Sequence, residues 1–258
     1  MPRFFGEVAE RLKVPVLKTG VARATVGSNP TLSSTYTRFN ESAKLNINKN
    51  AQNLINHSSS ACYSASYDLE FFNIPKCAMT TMRIALDTKW VPRNSLPSSR
   101  HTFCILRNPI DRFVSAYNAI VCQQCDGDET NRDKVWYQEI ISRVRKAENS
   151  ITDRAFVYLN EIQRNGFFDS HHFPQSYFIS DMYGRKEGML DYAIDFSNLG
   201  SDLLRIPSIK KAGLRKKHLN RTFWWELAKK DLTGLQVEII KDLYAQDYEL
   251  LRRWGLDD

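Results

Sequence analysis

The chain has no apolar run approaching the roughly 18 residues that a bilayer-spanning helix needs, and no secretory leader is evident in it. A cytoplasmic location is therefore the expectation. Cysteine is scarce. There are five, an odd number, so they cannot all pair within one chain. Cys77 and Cys104 fall in apolar runs, and reduced thiols are expected. Cys122-Gln-Gln-Cys125 has the spacing of metal ligands but no second pair, so no metal is expected. No GxxxxGK[ST] run occurs, which tells against a P-loop phosphate site. No internal repeat is found. Acidic residues are outnumbered, 29 against 36 basic, leaving a net charge of +7. Such a balance suits an anionic ligand, a nucleic acid or an acidic polysaccharide, and does not choose among them. What is present is ordinary for a globular protein: 258 residues, 42% hydrophobic and 25% charged, enough for one large domain or two small ones.

Residues 1–68 are rich in Ser, Asn and Thr with little periodicity, and are expected to be disordered. Gly6-Glu7-Val8-Ala9-Glu10-Arg11-Leu12-Lys13 and Val26-Gly27-Ser28-Asn29-Pro30-Thr31 resemble a bacterial serine tRNA gene read as protein, with Val16-Leu17-Lys18-Thr19 in the place of an anticodon arm. That resemblance implies an over-extended gene start without function. The domain boundary is placed at residue 69.

The chain is organised around Phe71-Phe72-Asn73-Ile74-Pro75-Lys76-Cys77-Ala78-Met79-Thr80-Thr81. Leu69, Phe71, Phe72 and Ile74 are strand formers. Pro75 ends the ladder because it has no N–H. Thr80 or Thr81 can cap a helix running on through Met82, Ile84, Ala85 and Leu86. A turn so placed gathers open backbone N–H groups, a lysine and two hydroxyls, which suits phosphate or sulfate. An ordinary strand-to-helix connection has the same local pattern.

Val91 to Ser99 reads as a loop. Thr102 to Leu106 is an apolar run, expected to be a buried parallel strand. It ends in Arg107-Asn108-Pro109, with Asn108 as N-cap, Pro109 as first helical residue and Asp111 as first-turn acid. Ile110, Phe113, Val114, Tyr117, Ile120 and Val121 keep helical spacing. Arg112, Ser115 and Ala119 fall on another face. Arg107 and Ser115 can converge on one anion, or can equally be an exposed arginine and a surface serine.

Together, strand–PKxxxTT–helix and strand–RNPxDRxxSxY–helix resemble the sulfotransferases that use 3'-phosphoadenosine 5'-phosphosulfate (PAPS), most closely the branch with carbohydrate sulfotransferases. The resemblance spans about residues 70–254. It implies that Pro75, Lys76, Cys77, Ala78, Met79, Thr80 and Thr81 hold the 5'-phosphosulfate, and that Arg107 and Ser115 hold the 3'-phosphate. Ala78 and Met79 stand where family members often carry glycine. Asp169-Ser170-His171-His172-Phe173-Pro174-Gln175 resembles the family's Asp-x-His-aromatic-x-Pro-Gln segment. His171 aligns with the family histidine, and His172 takes the aromatic place. Both are candidate bases, since imidazole titrates near neutral pH. His101 reads as a polar strand-start residue.

Further along, Val135, Ile140, Ile141 and Val144 mark one helix, and Phe156, Leu159 and Ile162 another starting near Ser150 or Thr152. Ser176 to Ile179 and Tyr192 to Phe196 read as strands. Lys210, Lys211, Arg215, Lys216, Lys217, His218 and Arg221 form a basic stretch, within which Lys217 is a cofactor candidate by the family-like Lys217-His218-Leu219-Asn220-Arg221-Thr222. Thr233-x-x-Gln236 is a capping box before the last helices, and Tyr244-x-x-Asp247 is family-like.

The expected fold is one α/β domain over 69–258, a mainly parallel sheet flanked by helices and related in architecture to P-loop kinases. The expected activity is sulfuryl transfer from PAPS to a hydroxyl, on a carbohydrate, with no metal and no specific nucleic-acid partner. A P-loop-like nucleotide kinase and a non-catalytic basic binding protein are the rival readings.

Overall fold

Leu69–Phe72 is buried at all four residues, as a strand covered on both faces must be. It is β2 of a five-stranded sheet in a computed structural model that describes residues 60–122, 134–147, 150–180, 187–213 and 226–256. The strands are β1 (Ser60–Ser64), β2 (Leu69–Phe72), β3 (Lys89–Pro92), β4 (His101–Leu106) and β5 (Tyr192–Asp195), in the order β3-β1-β2-β4-β5. β4 pairs in parallel with β2 and β5, with Phe71 opposite Phe103 and Leu106 opposite Asp195. β1 pairs antiparallel with both β2 and β3. The sheet is therefore mixed: β1 alone runs against the other four strands. Phe71 and Phe103 stack across the central pair at 4.9 Å, with no exposure.

Several sequence expectations are corrected. The sheet begins before residue 69, because β1 closes a hairpin onto β2 and buries Ala61 and Cys62. Val91 and Pro92, read as loop, end the edge strand β3, a four-residue strand with no fully buried residue. Ser176 to Phe178, read as strand, lie in a short helix. Pro174 at its N-cap and four aromatic or apolar neighbours leave the choice of period to tertiary packing.

The helices that frame the site are α1 (Met79–Ala85), α2 (Pro109–Tyr117), α3 (Val135–Lys146), α4 (Ile151–Asn165), α5 (Gln175–Phe178), α6 (Gly234–Leu243) and α7 (Ala245–Arg253). As read, Asn108 caps α2, accepting from the Ile110 and Asp111 amides, with Pro109 in the first turn. Ser150 caps α4 and Thr233 and Gln236 form the capping box of α6. α2 is buried nearly all round, Arg112 and Ser115 included, because α6 packs against it. Cys62, Cys77 and Cys104 are buried and not disulfide-bonded. No helix of the described residues is long and apolar enough to cross a membrane.

Candidate active site

The β2–α1 turn is tighter than its sequence suggests. The Cys77 amide donates back to the Ile74 carbonyl at 3.2 Å. Lys76 and Ala78 both take left-handed backbone, with φ of 65° and 56°. Each costs a non-glycine residue about 1 kcal/mol. α1 starts at Met79 with Ala78 as N-cap and no side-chain cap. Thr80 and Thr81 thus lie inside the first turn and do not cap it, contrary to the sequence reading. Their hydroxyls stay accessible: Thr80 is exposed and Thr81 half-buried. Pro75 and Cys77 are buried, so any contact they make with a ligand is through the backbone. The Cys77 Sγ faces Gln175 Oε1 at 3.3 Å. Burial pushes its thiol up to about 11, against the opposing pull of Arg112 and Arg107.

The second segment closes on this turn through both its arginines. Arg107 Nη1 donates to the Lys76 carbonyl at 3.1 Å, and Arg112 Nε donates to the Pro75 carbonyl at 3.1 Å. Arg112 is 1% exposed, and its grip on the turn was invisible in the sequence, where it fell with polar residues on a second helix face. Arg107 leaves β4 with its guanidinium carbon 4.4 Å from the centre of the Phe196 ring. Burial lowers its pKa from the usual arginine value, partly offset by Cys77 and Asp111. Its Nε is buried without a partner. Ser115 is buried on α2, and no hydrogen bond joins it to Arg107.

The histidine loop separates its two rings. His171 Nδ1 lies 2.8 Å from Asp169 Oδ1, and its side chain is 17% exposed. His172 is 1% exposed, its ring 4.9 Å from Tyr158 and 5.4 Å from Phe113. Burial lowers its pKa to about 3, with Arg112, His171 and Lys76 acting in the same direction and Asp169 opposing. His172 therefore packs as a buried aromatic ring, the role its alignment position implies, whereas the His171 ring stays partly exposed. Gln175, at the end of the same loop, reaches the end of β4: its Nε2 donates to the Arg107 carbonyl and its Oε1 accepts from the Arg107 amide, each at 2.8 Å. Asp247 on α7 accepts the backbone amides of Gln175 and Ser176. Tyr244 donates to the His172 carbonyl at 2.9 Å. The family-like Tyr244 and Asp247 thus hold the histidine loop, which holds the strand end.

The structure therefore joins the turn, the Arg107 segment and the His171 loop into one assembly at the carboxyl ends of β2 and β4, where open α/β sheets bind ligands. His101 starts β4, at the opposite end of the strand, with Asp191 3.7 Å away. Lys217 and the rest of 214–225 lie outside the described residues, as do Cys125 and the tRNA-like segment. Sequence reasoning missed Arg112, Phe196, Asp169, Tyr137 and Gln175 as site-builders. Asp169, Gln175 and Arg112 stood in motifs already singled out, though Arg112 was read only by its helix face; Phe196 and Tyr137 had no local signal. The groups presented are cations and donors (Lys76, Thr80, Thr81, Arg107), which fit a phosphate-bearing anion. Among the described residues no group of three or more His, Cys, Asp or Glu is placed to hold a metal.

A family model described as "Sulfotransferase family" matches residues 59–252. No curated protein and no solved structure gives a significant match.

Proposed function

Because the chain belongs to the sulfotransferase family, we propose that it transfers a sulfuryl group from PAPS to a hydroxyl on a carbohydrate. The observation that carries the reading is the 3.1 Å bond from Arg107 to the Lys76 carbonyl, which makes one site of two motifs 31 residues apart. Lys76, Thr80, Thr81 and the open amides of the turn would hold the 5'-phosphosulfate. Arg107 and Ser115 would hold the 3'-phosphate, and Lys217 is retained as a further contact by resemblance. The donor supplies the sulfuryl group, whose S–O bond to phosphate breaks with its electron pair left on the phosphate. Lys76 offsets the charge gathering there. His171 takes the acceptor proton. The carbohydrate assignment is supported by the resemblance of the Asp169 to Gln175 segment to the carbohydrate branch. No step calls for a metal.

The test is a thermal-shift titration with adenosine 3',5'-bisphosphate, the product nucleotide, against ADP and AMP. Saturation to a hundred times Kd stabilises by about 2.7 kcal/mol, so a selective rise in melting temperature is expected with the bisphosphate alone. A preference for ADP would favour phosphotransfer. No response to any nucleotide would favour a basic binding protein, whose affinity would fall steeply with salt.

A further inference from the structure

Asp169 is fully buried and uses its two oxygens separately. Tyr137, from α3, donates its hydroxyl to Oδ2 at 2.7 Å. Oδ1 accepts the His171 backbone amide at 2.9 Å and faces His171 Nδ1 at 2.8 Å. An ionised carboxylate only accepts, so Nδ1 must carry the ring proton and Nε2 must keep its lone pair. Burial alone would raise the Asp169 pKa, but the hydrogen bonds and charge of His171, with the Tyr137 bond, outweigh it and hold the group at about 2. Asp169 is thus an acceptor at any working pH. The other titratable groups packed around the pair are His172 in the same loop and Tyr158 on α4.

We infer that Asp169, itself fixed by Tyr137, is a positioning residue that sets the tautomer and direction of His171 and makes Nε2 the atom that receives the acceptor proton. The proton passes from the acceptor hydroxyl to Nε2 as the hydroxyl oxygen bonds to sulfur, and the imidazolium so formed is stabilised by the carboxylate on its far side. α3 thereby acts on the reaction through one hydroxyl. The inference deepens the proposed function and rests on His171 as the base.

The experiment is nitrogen-15 NMR of the full chain labelled at histidine, with H171A used to identify the His171 signals. In the parent protein, neutral His171 is expected as the Nδ1–H tautomer. D169N should shift it toward Nε2–H, because Nδ1 then loses its carboxylate acceptor. It should lower kcat by about a hundredfold or more with the donor KM unchanged. Y137F should act in the same direction, by about threefold to tenfold in kcat. A parent-like tautomer in both variants would overturn the inference. If D169N does not fold, Y137F carries the test alone: unchanged tautomer and kcat there overturn it. Unimpaired turnover in H171A is a separate result, which removes the base from the proposed function whatever the tautomer.

Discussion

Gln175 and Arg107 pair as residues of neighbouring strands do. The Gln175 side-chain amide meets both backbone polar groups of Arg107 at 2.8 Å, and its own backbone amide is anchored on Asp247, also at 2.8 Å. The sheet's ladder is thereby continued past the end of β4 by a side chain, and the arginine emerges from a fixed point. Its guanidinium then reaches back to the Lys76 carbonyl. The order of dependence runs from α7 to the histidine loop, to Arg107, to the turn.

Gln175→Ala should therefore cost far more than its few side-chain atoms. It leaves the Arg107 amide and carbonyl, both part-buried, without their side-chain partner. A stability loss of about 2–3 kcal/mol is expected from unsatisfied buried groups, read as a lower urea midpoint at unchanged m-value. A loss below 0.5 kcal/mol would mean that the strand end is held by something else.

Lys76 and Arg107 should separate in kinetics. In the proposed function Lys76 faces the breaking bond, so Lys76→Ala should lower kcat by about a hundredfold to a thousandfold. In the same reading Arg107→Ala removes a charge-assisted contact to a phosphate far from that bond. It should raise the donor KM by about tenfold or more. Some kcat is lost as well, because Arg107 also holds the Lys76 carbonyl. Normal kinetics in both variants would sink the nucleotide site.

Ala78 sits in left-handed backbone, φ 56°, where the family often has glycine. Ala78→Gly should relieve about 1 kcal/mol of strain, less the glycine entropy gained by the unfolded chain. The melting temperature should stay level or rise by up to about 3 °C. A fall of several degrees would show that the alanine methyl packs rather than strains. Tighter binding of adenosine 3',5'-bisphosphate in the glycine variant would show that the methyl crowds the phosphate.

Much of this site was legible in the sequence, and the limits have physical causes. β4 and α2 were readable because an apolar run, an Asn-Pro cap and a helical period all agreed over Thr102 to Val121. β1 and β3 were not: a Ser-rich strand and an exposed edge strand carry little alternation, and only pairing with neighbours defines them. Thr80 and Thr81 were good caps by residue type, yet the left-handed Ala78 is the N-cap, two and three residues too early for either to act. Arg112 shows the deepest limit. Its position on the helix wheel is a sequence property, but its burial against the turn, with Nε on the Pro75 carbonyl, is a long-range contact that no local pattern states.

His172 gives the clearest pH prediction. Its pKa is lowered to about 3 in the folded protein, first by burial, against about 6.5 when unfolded. Between these values the unfolded chain binds a proton that the folded one does not. The histidine therefore favours folding above pH about 6.5, and that contribution drains away as pH falls toward about 3, at up to about 1.4 kcal/mol per pH unit. Asp169 acts in a lower window. Its pKa of about 2 in the fold means that its contribution is complete above about pH 4 and lost only as pH falls through 2. A stability curve between pH 4 and 7 lies above the Asp169 window, but burial also raises the pKa of the Asp247 carboxyl, which acts in the opposite sense, so His172 is read from the difference between parent and variant. His172→Phe keeps an aromatic ring against Tyr158 and Phe113 and removes a buried nitrogen that has no partner. It should flatten the acid slope, with urea midpoints at pH 5 higher than those of the parent. An unchanged slope would assign acid sensitivity to other groups. A loss of turnover in this variant matching that of H171A would return His172 to the reaction, since a ring that only packs has no proton to take.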